Sequence, residues 1–364
     1  MALIFFDGFD GVDYNDIITR YDERNSLAGT TITLNPASPS GRAMYPGASN
    51  ETSLVKYIDN LSTVVVGARV LPAEIGGALP TATGKPIFVL REFTGGTTTT
   101  QLTLTQTSNN ALTIKRGNNS GTVLGTSAND VVFNNQWNYI ELKAKIDSST
   151  GGIIVRVNGV NVLELGDFAP SPTSLNTQNS GNAYVNRVAF SGLGSGTGSP
   201  AGYDDFYICD TTGLEYNDFL GDVSIVEIIP NAAGDSTQFT ANTGLNWQAV
   251  DDADTGNNHF DGDATYVSSA TAGHTDLYNL TTPVTSASTV LATKVVTVAR
   301  KSDAGDQDIE LLVKAGTTTS TSSPVALLDS YREFTYTLLQ NPDTTANWTV
   351  ADLTDVQIGF KVPV

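Results

Sequence analysis

The chain has 364 residues, enough for two or three domains with substantial cores, and 40% of them are hydrophobic, which excludes a disordered polymer. Only 16% are charged, well under the roughly 25% usual in globular proteins, and Thr, Ser, Asn and Gly fill the difference. Acidic residues outnumber basic ones 38 to 19 for a net charge of −19, so phosphate backbones and anionic membrane surfaces are repelled and neither is an expected partner.

Taken in chain order, the residues alternate with period two or form β-branched runs, and helical periodicity is almost absent. The start, Met1-Ala-Leu-Ile-Phe-Phe, reaches Asp7 without a basic segment or a long apolar core, so no signal peptide is expected. Strands are predicted at Leu3 to Phe6, Thr30 to Leu34, Ser62 to Leu71, Ile87 to Phe93, Gln101 to Gln106 and Ala111 to Arg116. Trp137 to Asp147 then alternates large apolar with polar residues and turns through Ser-Ser-Thr-Gly-Gly into Ile153 to Asn158. Asn158-Gly159 turns again into Val162 to Leu165, and Tyr184 to Ser191 and Phe206 to Cys209 end a first block. Turns every 8 to 15 residues are the spacing of an antiparallel sandwich, and this many strands match a large jelly roll.

A second block begins near Gly221. Val223 to Ile229 reads as a strand, and Val290 to Arg300 is expected to pair with Ile309 to Ala315 across the Asp303 to Asp306 turn. Phe334 to Leu339 and Val356 to Val362 close it, while Val12 to Ile18 and Leu353 to Val356 can form a helical turn. The reading is therefore all-β, two antiparallel jelly-roll-like sandwiches in tandem, divided as 1–213 and a smaller 214–364.

Catalytic constellations are sparse. His259 and His274 are the only histidines, no Gly-x-Ser-x-Gly elbow occurs, and the single Cys209 reads as a buried thiol. Glu141 and Glu164 alternate with apolar neighbours as outward-facing charges would, which is not the paired-carboxylate pattern of a glycosidase. No enzyme is expected. Asp7 and Asp10 near the start come close to Asp204 and Asp205 if the terminal strands pair, and oxygen ligands in that number suit a structural calcium ion. The Asp251 to Asp263 loop is a second acidic candidate, without the closing Glu of an EF-hand. Trp247 stands beside it, so Trp247, Asp251 and Asp252 form the candidate ligand site, a ring for a sugar face next to polar groups. Trp137 and Trp348 read as core residues.

FFDGFDG, the WNYIELKAKID strand with IIVRVNG, and the closing YDDFYICD together resemble the concanavalin A-like, laminin-G-type jelly roll. A longer similarity runs through YDDFYICDTTGLEYNDFLGDVSIVEIIPNAAGD, VVTVARKSDAGDQDIELLVKAG and NWTVADLTDVQIGFKV, and resembles virion structural proteins of tailed bacteriophages. Asn217 to Asp222 is its most specific part. This resemblance implies a virion component made in a bacterial cytoplasm, tail or tail-fibre associated. It implies action through contacts with other virion proteins or with further copies of itself. A host surface glycan adhesin and a head decoration protein are the alternatives it leaves open. It transfers no catalytic or binding residue.

Overall fold

The computed structural model describes residues 2–10, 17–25, 31–45, 53–72, 84–191, 202–252, 260–283 and 289–364. The protein is all-β, its helical content among those residues being the turn Ile17–Arg20 and two short 3-10 turns. None of these is long and apolar enough to cross a membrane. Two compact units divide the chain: residues 1–10 with 21–225, and residues 11–20 with 226–364.

Among the described residues the first unit is a sandwich of fifteen strands. They are β1 (Leu3–Asp7), β2 (Glu23–Asn25), β3 (Thr31–Ser38), β4 (Gly41–Tyr45), β5 (Ser53–Leu61), β6 (Thr63–Leu71), β7 (Lys85–Thr94) and β8 (Thr97–Gln106). There follow β9 (Leu112–Arg116), β10 (Thr122–Thr126), β11 (Asn138–Lys145), β12 (Gly152–Val157), β13 (Val160–Gly166), β14 (Val185–Ser191) and β15 (Gly202–Asp210). One sheet runs β13-β12-β11-β6-β15-β4-β3 with β1 also on β15, and the other runs β10-β9-β8-β7-β14-β5-β2. All of their pairings are antiparallel. The opening and closing aromatic-acidic segments do meet, with Asp7 opposite Phe206 and Phe6 opposite Tyr207. Between the sheets the rings of Phe190 and Phe206 stand 4.0 Å apart, and Tyr203 donates across to the Ile87 carbonyl at 3.2 Å. Rings of this size dominate such a core because each removes a large apolar area from water.

In the second unit β16 (Pro230–Thr237), β19 (Thr275–Leu280), β25 (Gln357–Lys361), β21 (Asp308–Ala315) and β22 (Thr318–Thr321) form a sheet in that order, with β23 (Val325–Ala326) also on β21. The pairs β17 (Thr240–Ala241) with β18 (Val267–Ser268) and β20 (Thr293–Ala299) with β24 (Arg332–Leu338) stand apart from it. Val295 of β20 packs on Val313 of β21 in a core with Trp348, Leu353 and Val356.

Four expectations are corrected. The two long strands of the second block do not pair: β20 takes β24, and β20 meets β21 through packed side chains rather than along an edge. Val223 to Ile229 forms no strand; at its start the backbone groups are engaged by side chains of the first unit, the Val223 carbonyl by Arg69 and the Ile225 amide by Asp205. For the same reason residues 214–225 group with the first unit, and the division falls after 225 rather than after 213. Glu141 does not face solvent. It is fully buried, since residues 218–222 lie over its face of β11.

Candidate functional site

The predicted acidic cluster sits on β15, where a bulge between Asp204 and Tyr207 breaks the alternation. Asp205 adopts a left-handed backbone (φ 50°), which aspartate tolerates better than most residues. The bulge turns two consecutive side chains the same way, so Ser40 Oγ lies 2.8 Å from Asp204 Oδ2 and 2.5 Å from Asp205 Oδ2. Arg69 Nε donates to Asp205 Oδ2 at 2.8 Å, and the Ile225 amide donates to Oδ1 at 2.6 Å. Burial raises both carboxyls, Asp204 up to about 9 with the charge of Asp205 adding to it, while the bonds from Ser40, Arg69 and the Ile225 amide oppose the rise at Asp205. Asp10 also acts on Asp204 through its charge, and its Oδ1 accepts the Arg42 amide at 2.7 Å while its carboxyl lies against Gly41. A side chain at Gly41 (φ 147°) has no room there. Asp7 Oδ1 accepts the Phe9 amide at 3.1 Å.

The pairing of β1 with β15 thus places Asp7, Asp10, Asp204 and Asp205 at one end of the sheet. A hydroxyl, a guanidinium and backbone amides donate to these carboxylates. Among the described residues no three His, Cys, Asp or Glu side chains gather as a metal-holding group.

Next to this cluster lies a clasp that sequence reasoning missed. Tyr207 donates to Glu141 Oε1 at 2.5 Å and accepts the Leu220 amide at 3.1 Å, and the Gly221 amide donates to the same Glu141 oxygen at 2.9 Å. Arg69 adds an ion pair with Asp222 at 2.7 Å, Lys143 one with Asp218 at 3.1 Å, and the Arg156 guanidinium lies 4.6 Å from the Phe219 ring centre. The stretch carrying the virion-protein resemblance is therefore fastened to the outer face of β6, β11 and β15. Burial pushes the neighbouring Cys209 thiol up, so it is an inert core residue.

In the second unit Trp247 lies on a 3-10 turn, Asn246–Ala249, and packs against the cluster of Tyr278, Ile309, Leu311 and Phe360. Asp276 holds that turn: its Oδ1 accepts the Gln238 and Phe239 amides at 2.5 and 2.8 Å, and its Oδ2 accepts Asn246 Nδ2 and the Tyr278 hydroxyl at 2.6 and 2.8 Å. Asp252 is pushed up to about 7 by burial and then by the charges of Asp261 and Asp251, and burial also raises Asp251. His274 shares a 2.9 Å hydrogen bond with Ser269, while His259 and residues 253–259 lie outside the described residues.

A third place emerges only from the structure. Thr98, Thr99, Thr100, Arg116, Asn118, Thr122 and Asn179, with Gly117 and Gly121, line an open hollow of about 430 Å³ at the ends of β8, β9 and β10. Its wall is built by Gln101, which is fully buried in a bulge of β8. Gln101 Oε1 accepts the Asn179 amide at 2.6 Å, and its Nε2 donates to Ser180 Oγ and the Asn182 carbonyl at 2.9 and 2.8 Å. Thr98 joins the hollow to an aromatic row by accepting from Arg187 at 3.4 Å. The Arg187 guanidinium lies between the rings of Phe93 and Tyr57, 3.9 and 4.3 Å from their centres, and pairs with Glu23. Phe93 and Tyr57 are 36% and 40% exposed, so part of each ring faces solvent. The run of four threonines and the Gly117 to Gly121 turn (GNNSG) were the available signal, and neither by itself points to a ligand.

No protein-family model matches the chain, and no curated protein matches it. Among solved structures it is similar to alginate lyase vAL-1 from Chlorella virus at 14% identity, over 50% of this chain and 88% of that one, with a TM-score of 0.36. It is similar to Trypanosoma rangeli sialidase at 11% identity, over 57% of this chain and 30% of the sialidase, with a TM-score of 0.34. The carbohydrate recognition domain of Emp46p in its metal-free form is similar at 8% identity, over 50% of this chain and 85% of that one, with a TM-score of 0.31. Likeness of this extent brings none of those activities to the chain.

Proposed function

We propose that this protein is a non-enzymatic component of a tailed-phage particle that contacts a glycan through its first unit. The particle assignment rests on the sequence resemblance centred on residues 217–222. The glycan assignment is carried by one observation: a hollow lined with hydroxyls, amides and a guanidinium adjoins two exposed rings through Thr98. Saccharides present the complementary chemistry, with apolar faces that stack on rings and hydroxyls that exchange hydrogen bonds with Thr, Asn and Arg. The experiment is a screen of the purified chain against bacterial surface polysaccharide fragments, with Tyr57→Ala/Phe93→Ala as the comparison. Binding that weakens at least about tenfold in the variant supports the reading. Absence of binding to every fragment overturns it.

A purely architectural role is the second reading, favoured by the clasp. Here a segment with little regular structure is held by a buried carboxylate, the Tyr207 hydroxyl and two ion pairs, as suits a surface that must keep its shape in an assembly. Immunogold labelling of purified particles separates the two. Label at fibre tips supports the glycan reading, label along the tail or on the head supports the architectural one, and no label overturns the particle assignment.

A further inference from the structure

We propose that the Thr98–Asn179 hollow recognises the carboxylate of an acidic saccharide, with Arg116 as the residue that selects the charge. This rests on the glycan reading above and names its ligand class.

The lining is unusual for this molecule. The chain carries a net charge of −19, yet none of the residues bounding the hollow is acidic. Arg116 closes β9 opposite Thr122, and among the described residues it has no carboxylate partner. Its one described side-chain hydrogen bond runs from Nη1 to the Asn176 carbonyl at 3.5 Å, longer than the roughly 2.7–3.2 Å of an ordinary N–H···O bond. Other arginines of the first unit are differently placed: Arg69 and Arg187 are paired with Asp205 and Glu23. A guanidinium has five donors in a planar fork that matches a carboxylate two bonds at a time, so most of the donor capacity of Arg116 remains for a ligand.

The rest of the lining sets what bears that carboxylate. The hydroxyls of Thr99, Thr100 and Thr122 have no protein partner among the described residues, and each can both donate and accept. Asn179 is held in place, its amide by Gln101 and its side chain by the Thr100 carbonyl at 2.9 Å, so the wall is formed before a ligand arrives. Groups that donate and accept in turn suit the hydroxyls of a sugar ring. A single cation suits one negative charge. A polyphosphate or nucleic acid would meet one guanidinium and the repulsion of a strongly acidic chain. The volume of about 430 Å³ admits one or two sugar rings.

The test is calorimetry of the full chain with three probes at low and physiological salt: trigalacturonate, the neutral trisaccharide maltotriose, and inorganic sulfate. Arg116→Gln keeps hydrogen-bond donors without the charge, and Arg116→Lys keeps the charge without the fork. Trigalacturonate is expected to bind with an affinity that falls with salt. In Arg116→Gln it should bind at least about tenfold more weakly, with Arg116→Lys in between. Circular dichroism spectra matching the parent confirm that both variants fold. Equal binding of trigalacturonate and maltotriose, unchanged in Arg116→Gln, overturns the acidic preference and leaves the glycan reading standing. Sulfate bound as tightly as trigalacturonate makes this a bare anion site and overturns the saccharide. Trigalacturonate and maltotriose both failing to bind overturns the present inference, and failure of every fragment in the wider screen overturns the glycan reading with it.

Discussion

Arg69 Nε and Asp205 Oδ2 meet at 2.8 Å between β6 and β15, with the Asp205 side chain wholly removed from solvent and that of Arg69 10% exposed. The same guanidinium reaches the Val223 carbonyl and Asp222, so one side chain fastens a bulged strand and the segment that follows it. A buried pair of this kind adds little over a well-packed apolar replacement, but a lone buried charge is expensive. Arg69→Met is therefore expected to lower the unfolding free energy of the first unit by about 3–5 kcal/mol. Arg69→Met/Asp205→Asn should recover part of that loss. Urea denaturation measures both, and a single-variant loss under about 1 kcal/mol would show that the pair is effectively solvated.

Asp204 makes stability depend on pH in a defined direction. Burial and the charge of Asp205 raise its folded-state value far above 3.8, so the folded chain binds a proton that the unfolded chain has released. Stability contributed by this group is full below the ordinary carboxylate value and declines as pH rises through the window above 3.8. Asp204→Asn, neutral at every pH, is expected to flatten that decline. Thermal melts from pH 4 to pH 9 in parent and variant check it, and parallel slopes would be the contrary result.

Gly67 lies opposite Glu141 on β11 and Tyr207 on β15. A methyl group built there would run into the Tyr207 ring, whose hydroxyl holds Glu141 and the Leu220 amide. Gly67→Ala is expected to cost about 1–3 kcal/mol, the range of overpacking, despite alanine's better backbone entropy. Gly159→Ala makes a useful contrast, because open space surrounds that position and its cost is backbone strain alone (φ 79°). Chemical denaturation and hydrogen exchange at Leu220 and Gly221 report the difference.

Trp247 supports the second unit's core. Trp247→Ala is expected to lower stability by about 2–4 kcal/mol, somewhat under the cost of truncating a fully buried ring such as Trp348. Denaturation of the two variants compares them, and a Trp247→Ala variant of unchanged stability but weakened glycan binding would support the site read from Trp247, Asp251 and Asp252.

Calcium at Asp7, Asp10, Asp204 and Asp205 is open to direct measurement. Because Ser40, Arg69 and backbone amides already donate to this cluster, EDTA is expected to leave Tm unchanged. A rise of several degrees on adding calcium would show that the ion displaces those donors.

Much of this was written into local patterns. Alternation at Trp137 to Asp147 and the Asn158-Gly159 turn specify the β11-β12-β13 meander, because a period of two has only one way to bury a face. The matching opening and closing segments likewise announced the pairing of β1 with β15. Partner choice in the second unit was not legible: β20 and β21 are both good strands joined by a good turn, yet side-chain packing sends β20 to β24. Nor was the fate of Glu141, since alternation fixes which face of a strand a residue occupies but not what later covers that face. The hollow beside Arg116 belongs to the same class. Its residues come from β8, β9, β10 and, far along the chain, the segment before β14, and only a bulge at Gln101 and the hydrogen bonds it makes bring Asn179 to the threonines. Composition and period act along the chain and set the strands. Bulges, burial and ion pairs act across it, and they decide which groups are left facing a ligand.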